Sequence, residues 1–439
     1  MTAEPGDFRS LVEALSSADD EKLLAVVRVV DRLADRGALD AVLDRVRPRL
    51  ALIRPPRPLT LLRLLTWPLE PALVPAEAWV PGSYRIPRSH LSELHQAVRQ
   101  GLDPALVAQV EAGIAGSTTR DADVVLANGK LLWPAAARVA MRESENRRRS
   151  DVHLAISFRL AAHLLAIGET SVRTFWQLPP KPIQDLPRAA REAVCALLAA
   201  AAERGREAFV LVCEILIARC DSPMLILRPA IEEDLPLPLR ERIQCVSVVV
   251  DGLLGELIRA VDEARAASPI NAPAVAELIL RVVDICESLE SAPAGVRFDR
   301  FSIRRLLRAT SELAQHVVAT VLEQQLLPAM AGRAGEATAL SSVEETARAI
   351  ARIRMVARPL GLVAKFDDLF RRAERRFLEA LEVLVAERER GCNGESPVDL
   401  DVMDRVRVIE ILFGSRRAVA VWRACCDRAR GLSSRIATG

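Results

Sequence analysis

Residues 366–388 read FDDLFRRAERRFLEALEVLVAER. Phe366, Leu369, Phe370, Ala373, Phe377, Ala380, Leu381 and Leu384 recur at three- and four-residue spacings, and Arg371, Arg372, Glu374, Arg375, Arg376 and Glu379 fill the positions between. On a helix of 3.6 residues per turn this pattern places one apolar stripe against a core and turns the charges to solvent. A strand would need alternation of period two, which is almost nowhere sustained in the chain.

The same periodicity extends in both directions from this stretch. Between Lys22 and Arg36 the apolar residues fall at Leu23, Leu24, Val27, Val30 and Leu33. Breaks are expected at Pro179-Pro180-Lys181-Pro182, Leu235-Pro236-Leu237-Pro238, Ser268-Pro269 and Gly391-Cys392-Asn393-Gly394, where proline or glycine interrupts the pattern. Asp103-Pro104 and Ser396-Pro397 with Asp399 supply helix starts. Ser342 with Glu345 fits a capping box, and Ser89 fits the start of a further helix. At Asp123–Trp133, DVVLANGKLLW, the Asn-Gly pair suits either a hairpin turn or a helix ending at Asn128; two helices are the better fit to the surroundings.

The expected fold is all-α, an irregular α-solenoid or extended multi-helix bundle of stacked antiparallel helix pairs such as Ser342–Arg358 with Gly361–Arg388. In general look these pairs resemble divergent HEAT-like or tetratricopeptide-like arrays, without a repeat of stable period or signature. Texture divides the chain into an N-terminal region, 1–178, with proline-rich joints, and a C-terminal helical array, 179–439. The first holds four of the five tryptophans.

Composition excludes several classes of function. Across 439 residues, 60 basic side chains face 58 acidic ones, a net charge of +2. That balance creates no long-range field to draw in nucleic acid or anionic lipid. Only Lys22, Lys130, Lys181 and Lys365 are lysines, and the arginine excess pervades every segment, as codon bias would produce. Aromatic residues are 4% and include one tyrosine, Tyr84, too few for base-stacking surfaces. The eight cysteines form no C-x-x-C pair and sit mostly in apolar patterns, as buried thiols of a reducing compartment do. No signal peptide is expected from MTAEPGDFRS, and Asp251 and Glu256 interrupt the longest apolar stretch, Ile243–Ile258. The expected location is the cytoplasm.

The motifs of common chemistries are missing. Gly129-Lys130 lacks both flanks of a phosphate loop, and neither G-x-G-x-x-G nor G-x-S-x-G occurs. His90 and His95 are five apart, about 140° around a helix, whereas a zincin needs four; they read as a solvated polar face. Glu312 and His316 share a face but make only one half of a di-iron motif. His153 and His163 lie on an apolar helix and read as core or interface residues. The C-terminal helices carry eight arginines against three acids from Met403 onward, a weak version of a nucleic-acid stripe. No cofactor, metal-ligand set or catalytic group is assigned.

One stretch departs from this texture. Residues 54–75, RPPRPLTLLRLLTWPLEPALVP, place six prolines among seven leucines. Pro58 to Pro68 leave at most about 15 Å of helix, half a bilayer's apolar thickness. The segment reads as a buried structural joint, followed by a loop, 79–88, that gathers Trp, Tyr and Arg. These are the side chains enriched at interaction hot spots. Arg57, Arg63, Trp67, Trp79, Tyr84, Arg85 and Arg88 are therefore the candidate partner-binding residues. The expected function is a non-enzymatic helical scaffold that binds protein rather than nucleic acid. The alternatives are a peripheral membrane protein using 58–67 as an amphipathic segment, and an enzyme whose site is assembled only in the fold.

Overall fold

The computed structural model describes residues 15, 18–30, 49–50, 53, 56–290, 300–331, 340–391 and 400–436. In chain order its helices begin with α1 (Asp20–Val30), α2 (Leu61–Thr66), α3 (Leu91–Gly101), α4 (Pro104–Ile114), α5 (Ala122–Arg147) and α6 (Val152–Ala166). There follow α7 (Gly168–Gln177), α8 (Arg188–Glu203), α9 (Arg206–Ile217), α10 (Met224–Glu232), α11 (Leu239–Ala266) and α12 (Ala272–Glu290). The last are α13 (Arg300–Val321), α14 (Leu327–Met330), α15 (Leu340–Met355), α16 (Val363–Gly391), α17 (Leu400–Phe413) and α18 (Ser415–Ile436). The only ladder among the described residues is a parallel pair of two-residue strands, β1 (Leu73–Val74) and β2 (Ile86–Pro87). The fold is all-α.

Two compact units emerge from the chain's contacts. The first comprises Pro56–Leu257 with Asp284–Ile303, and the second Met1–Pro55, Ile258–Val283 and Arg304–Gly439. In the second unit, α16 buries the stripe read from its sequence: Phe366, Phe370, Ala373, Phe377, Leu381 and Leu384 are enclosed, and Leu369 and Ala380 half-enclosed. Phe413 of α17 meets Phe370 and Phe377 edge-on, each at 6.1 Å between ring centres, a favoured aromatic geometry. Leu23 and Val27 of α1 are buried likewise; residues 31–36 lie outside the described residues.

The first unit is organised around α5. Here the sequence reading is corrected: 122–147 is one continuous helix, neither a hairpin nor two helices, with Asn128, Gly129 and Pro134 all inside it. The glycine is there for space, not for a turn. A Cβ at Gly129 would collide with the Trp133 ring, and one at Gly168 would lie 2.9 Å from it. Asn128 is satisfied locally, its Nδ2 donating to the Val124 carbonyl at 2.9 Å. Trp133, fully buried, donates its indole N–H to the Leu64 carbonyl at 2.8 Å and so fastens α2 to α5.

Helix starts follow the expected chemistry at Asp103, whose carboxylate accepts from the Ala105 N–H at 2.9 Å. Asp151 caps α6 in the same way through the Leu154 N–H. Two expected caps are corrected. Ser342 lies inside α15, which already runs from Leu340. Residue His90, not Ser89, precedes α3, after a 3-10 turn at Arg88–His90. Ser396-Pro397 with Asp399, and Cys392 to Gly394, lie outside the described residues.

Within 54–75, the described residues 56–75 are chiefly a buried joint, and residues 54 and 55 lie outside the described residues. Thr60 caps the six-residue α2, and a 3-10 turn, Trp67–Ala72, carries Pro68 and Pro71 onward. Leu59, Leu61, Leu64, Leu65, Pro68, Leu69 and Ala72 are buried, while Leu62 is 42% exposed. The prolines stiffen the two ends of a short helix that is pinned to α5.

Among the described residues no single helix is long and apolar enough to cross a membrane. Helices α6 and α7 together reach that length and apolarity, but they bend by 75° at their junction. Their residues Leu154, Phe158, Leu160, Leu164, Leu165 and Val172 are buried inside the first unit.

Candidate functional site

Three of the seven candidate residues, Trp67, Arg85 and Arg88, meet at the Trp67–Ala72 turn. Arg85 donates to the Pro71 carbonyl at 3.4 Å, and Arg88 reaches the Glu70 carboxylate at 2.9 Å. Two consecutive parts of the turn are thus gripped by the 79–88 loop. Trp67, at the start of the turn, is half-buried and meets Trp176 of α7 edge-on, with ring centres 6.1 Å apart and planes at 90°. Arg63, four residues before Trp67 and on the same helical face, donates to the Pro58 carbonyl. Arg57 is exposed at the edge of this region, where its carbonyl accepts from the Thr119 N–H at 2.9 Å.

Trp176 is 41% exposed. Glu169 and Arg173 precede it by seven and three residues on one face of α7, and Glu169 pairs with both Arg173 and Lys130 at 3.0 Å. The surface at this point is therefore an aromatic pair edged by one carboxylate that holds two cations. Sequence reading found Trp67 but not its partner. The signal was the clustering of four tryptophans before residue 178; which of them would meet was not legible, because the two lie 109 positions apart.

The 79–88 loop folds back on itself. The Trp79 indole N–H donates to the Arg85 carbonyl at 3.1 Å, and Ser83 bonds twice to the Val80 carbonyl. Trp79 also lies edge-on to His153, with ring centres 5.2 Å apart, and 6.2 Å from His90. Trp79, Tyr84 and Arg85 are all half-buried. Both Tyr84 and Arg85 dock on one residue of α9. The Arg85 guanidinium donates to the Glu214 carbonyl at 3.2 Å, and the Tyr84 main chain lies near the Glu214 carboxyl.

Glu214 is the most perturbed carboxyl of this cluster. Burial pushes it up to about 7 and nearby Glu256 adds to the rise, against the opposing pull of Arg85 and of the Tyr84 N–H. Glu207, one turn pair earlier on α9, goes the other way. His163 at 3.2 Å, and then Arg159 at 2.8 Å, hold it below the usual carboxylate range. The Tyr84 hydroxyl is pushed up by burial and then by these two glutamates.

The histidines at 90 and 95 are not the solvated pair expected. Both are half-buried, and burial lowers both. His90 Nδ1 shares a hydrogen bond with Ser157 Oγ at 2.9 Å, which draws it toward α6 and away from His95. The thiols are poor nucleophiles: burial drives Cys213 far up and places Cys220 and Cys286 at about 11. Among the described residues no group of three or more His, Cys, Asp and Glu side chains could hold a metal ion.

In the second unit a cleft of about 470 Å³ is lined by Arg354, Asp367, Phe370, Arg371, Glu374, Phe413 and Arg417. Its arginines are engaged. Arg354 stacks over Phe370 at 4.3 Å and pairs with Asp367 at 3.4 Å, and Arg417 pairs with Glu374 at 2.6 Å. Arg371 donates its Nε–H to the Asp367 carbonyl at 3.1 Å. The interleaved charges of α16 thus work largely on one another.

No protein-family model, no curated protein and no solved structure matches this chain.

Proposed function

We propose that this chain is a non-enzymatic helical scaffold whose first unit binds a protein partner across the Trp67–Trp176 surface, with the 79–88 loop at its margin. One observation carries the reading: in a chain with 4% aromatic residues, one tryptophan stands 41% exposed against another. Large aromatic side chains are costly to leave wet and are the commonest anchors of protein interfaces. The flanking cations, Lys130 and Arg173, share Glu169, so the surface would take a partner with an apolar anchor and a polar rim. The free, largely buried described cysteines support a reducing compartment such as the cytoplasm. The membrane alternative loses most of its apolar surface, since Leu61, Leu64 and Leu65 are turned inward.

The test is capture from the cell of origin with the tagged full-length protein, at low and high salt and with nuclease, using wild type and Trp176→Ala in parallel. The expected result is a discrete protein retained at high salt by the wild type and reduced at least tenfold by the variant, as befits a hot-spot loss of about 2 kcal/mol or more. Retention that is equal in both, or capture of salt-sensitive nucleic acid alone, overturns the proposal.

A further inference from the structure

The loop between α7 and α8 is bonded to the residues that follow α9. The Ile183 N–H donates to the Arg219 carbonyl at 2.8 Å, and the Asp221 N–H donates to the Ile183 carbonyl at 3.0 Å. This bridge pairs Ile183 with Cys220 and brings Lys181, two residues earlier, alongside Arg219. Arg85 comes from the 79–88 loop. Its guanidinium donates to the Glu214 carbonyl in the last turn of α9 at 3.2 Å, and to the Pro71 carbonyl at 3.4 Å. Three cations from three separate segments thus stand within electrostatic reach of one another.

None of the three is neutralised. The Arg85 guanidinium bonds only to main-chain carbonyls, and the exposed Lys181 ammonium forms no hydrogen bond or ion pair among the described residues. Arg219 is the sharpest case. Its guanidinium lies over the Phe175 ring at 5.3 Å, and its Nε is buried with no hydrogen-bond partner. Neither Glu214 nor Asp221, acids in the same segments, forms an ion pair with any of the three among the described residues. Burial, and then the repulsion of Arg219 and Arg85, hold Lys181 below the usual lysine range, and burial lowers Arg219 likewise. A guanidinium half out of water with an unused buried N–H is costly, and two neighbouring cations add to that cost.

We infer that Arg219, Lys181 and Arg85 form a binding site for a phosphate group. Charge decides between the common oxyanions. A phosphate monoester carries a charge of about −1.5 to −2 and three strong acceptor oxygens, whereas a carboxylate brings a single charge to three cations. Arg219 would present the edge of its planar fork while Phe175 holds its face. Lys181 would add a point charge on a flexible stem, and Arg85 a charge fixed in place by its two carbonyl bonds. The site does not depend on the proposed function. Since Arg85 also touches the Trp67–Ala72 turn, a phosphate carried on a partner's side chain would sit at the margin of the contact surface.

The chain has four lysines, so lysine labelled with carbon-13 at Cε gives four signals, and Lys181→Gln identifies the one at this site. Inorganic phosphate would be titrated into the labelled full-length protein at constant ionic strength, with acetate as the comparison. The expected result is a saturable shift of the Lys181 signal by phosphate, with binding at least about tenfold weaker for acetate and for Arg219→Gln. Phosphate should also raise the melting temperature of the wild type, and less so that of Lys181→Gln. Repeating the titration with N-acetyl-phosphoserine amide separates the sources. Tighter binding of the capped phosphoserine assigns the site to a phosphorylated side chain, and tighter binding of the inorganic ion assigns it to free phosphate. A shift that is linear in concentration, equal with acetate, or unchanged in Arg219→Gln overturns the inference. Should Arg219→Gln fail to fold, the wild-type comparison of phosphate with acetate and the melting of Lys181→Gln decide it. Loss of partner capture leaves these readouts untouched, so the two proposals fail separately.

Discussion

Burying Arg242 is tolerable because its guanidinium finishes a helix. It donates to the carbonyls of Ala230, Ile231 and Glu233 at 3.2, 2.8 and 2.7 Å, and through Nε to Leu237 at 3.0 Å. These are the carbonyls that α10 and the turn after it leave unpaired. Arg242→Ala removes all four bonds at once and is expected to cost about 3 kcal/mol or more in urea unfolding; a loss below about 1 kcal/mol would mean that water replaces the guanidinium there. Glu214 makes the opposite prediction. Its folded value lies above its unfolded one, so the stability it lends is full in acid and is lost as pH rises through about 7. Glu214→Gln should therefore match wild type near pH 4.5 and exceed it by about 2 kcal/mol at pH 8, the shift being discounted for partial solvent access. Equal stabilities at pH 8 would contradict that assignment. Neither role was legible from sequence. Arg242 is one arginine among many, and Glu214 becomes special only when a loop 129 positions away lands on it.

Helices were the most legible feature, and α16 shows why. Its stripe is set by spacing within one segment, so burial could be read before any partner was known. Phe377, buried against Phe413, should cost about 3–5 kcal/mol when cut to alanine, whereas exposed Arg375 should cost under about 0.5 kcal/mol. Helix α5 shows where spacing fails. Asn-Gly normally punctuates a helix, but here the Trp133 ring occupies the room that a Cβ at Gly129 would fill. Gly129→Ala improves local helix propensity by about 1 kcal/mol and should still destabilise, by about 1–3 kcal/mol, through overpacking. A stabilised Gly129→Ala would show that the ring can step aside. Tertiary packing thus overrides a local signal that sequence reading had to take at face value.

The grouping of segments into units depends on contacts between distant parts of the chain, and periodicity carries no trace of them. Residues 258–283 and 304–439 associate in one unit, while 284–303 falls in the other. The candidate site was legible in part for the same reason. A cluster of Trp, Tyr and Arg over 63–88 marked residues that partly meet in space, because the Trp67–Ala72 turn and the 79–88 loop are close in sequence. The second tryptophan and the carboxyl under the loop were contributed by α7 and α9 and had no local signature. The proposed function rests on the surface those elements complete together. Replacing Trp176 with a photo-crosslinking phenylalanine analogue, and irradiating the full-length protein in its own cells, would ask what touches that surface. A single crosslinked protein, lost when Trp67 is changed to alanine, is the expected result; no crosslink, or one to lipid or nucleic acid alone, would contradict a protein-binding scaffold.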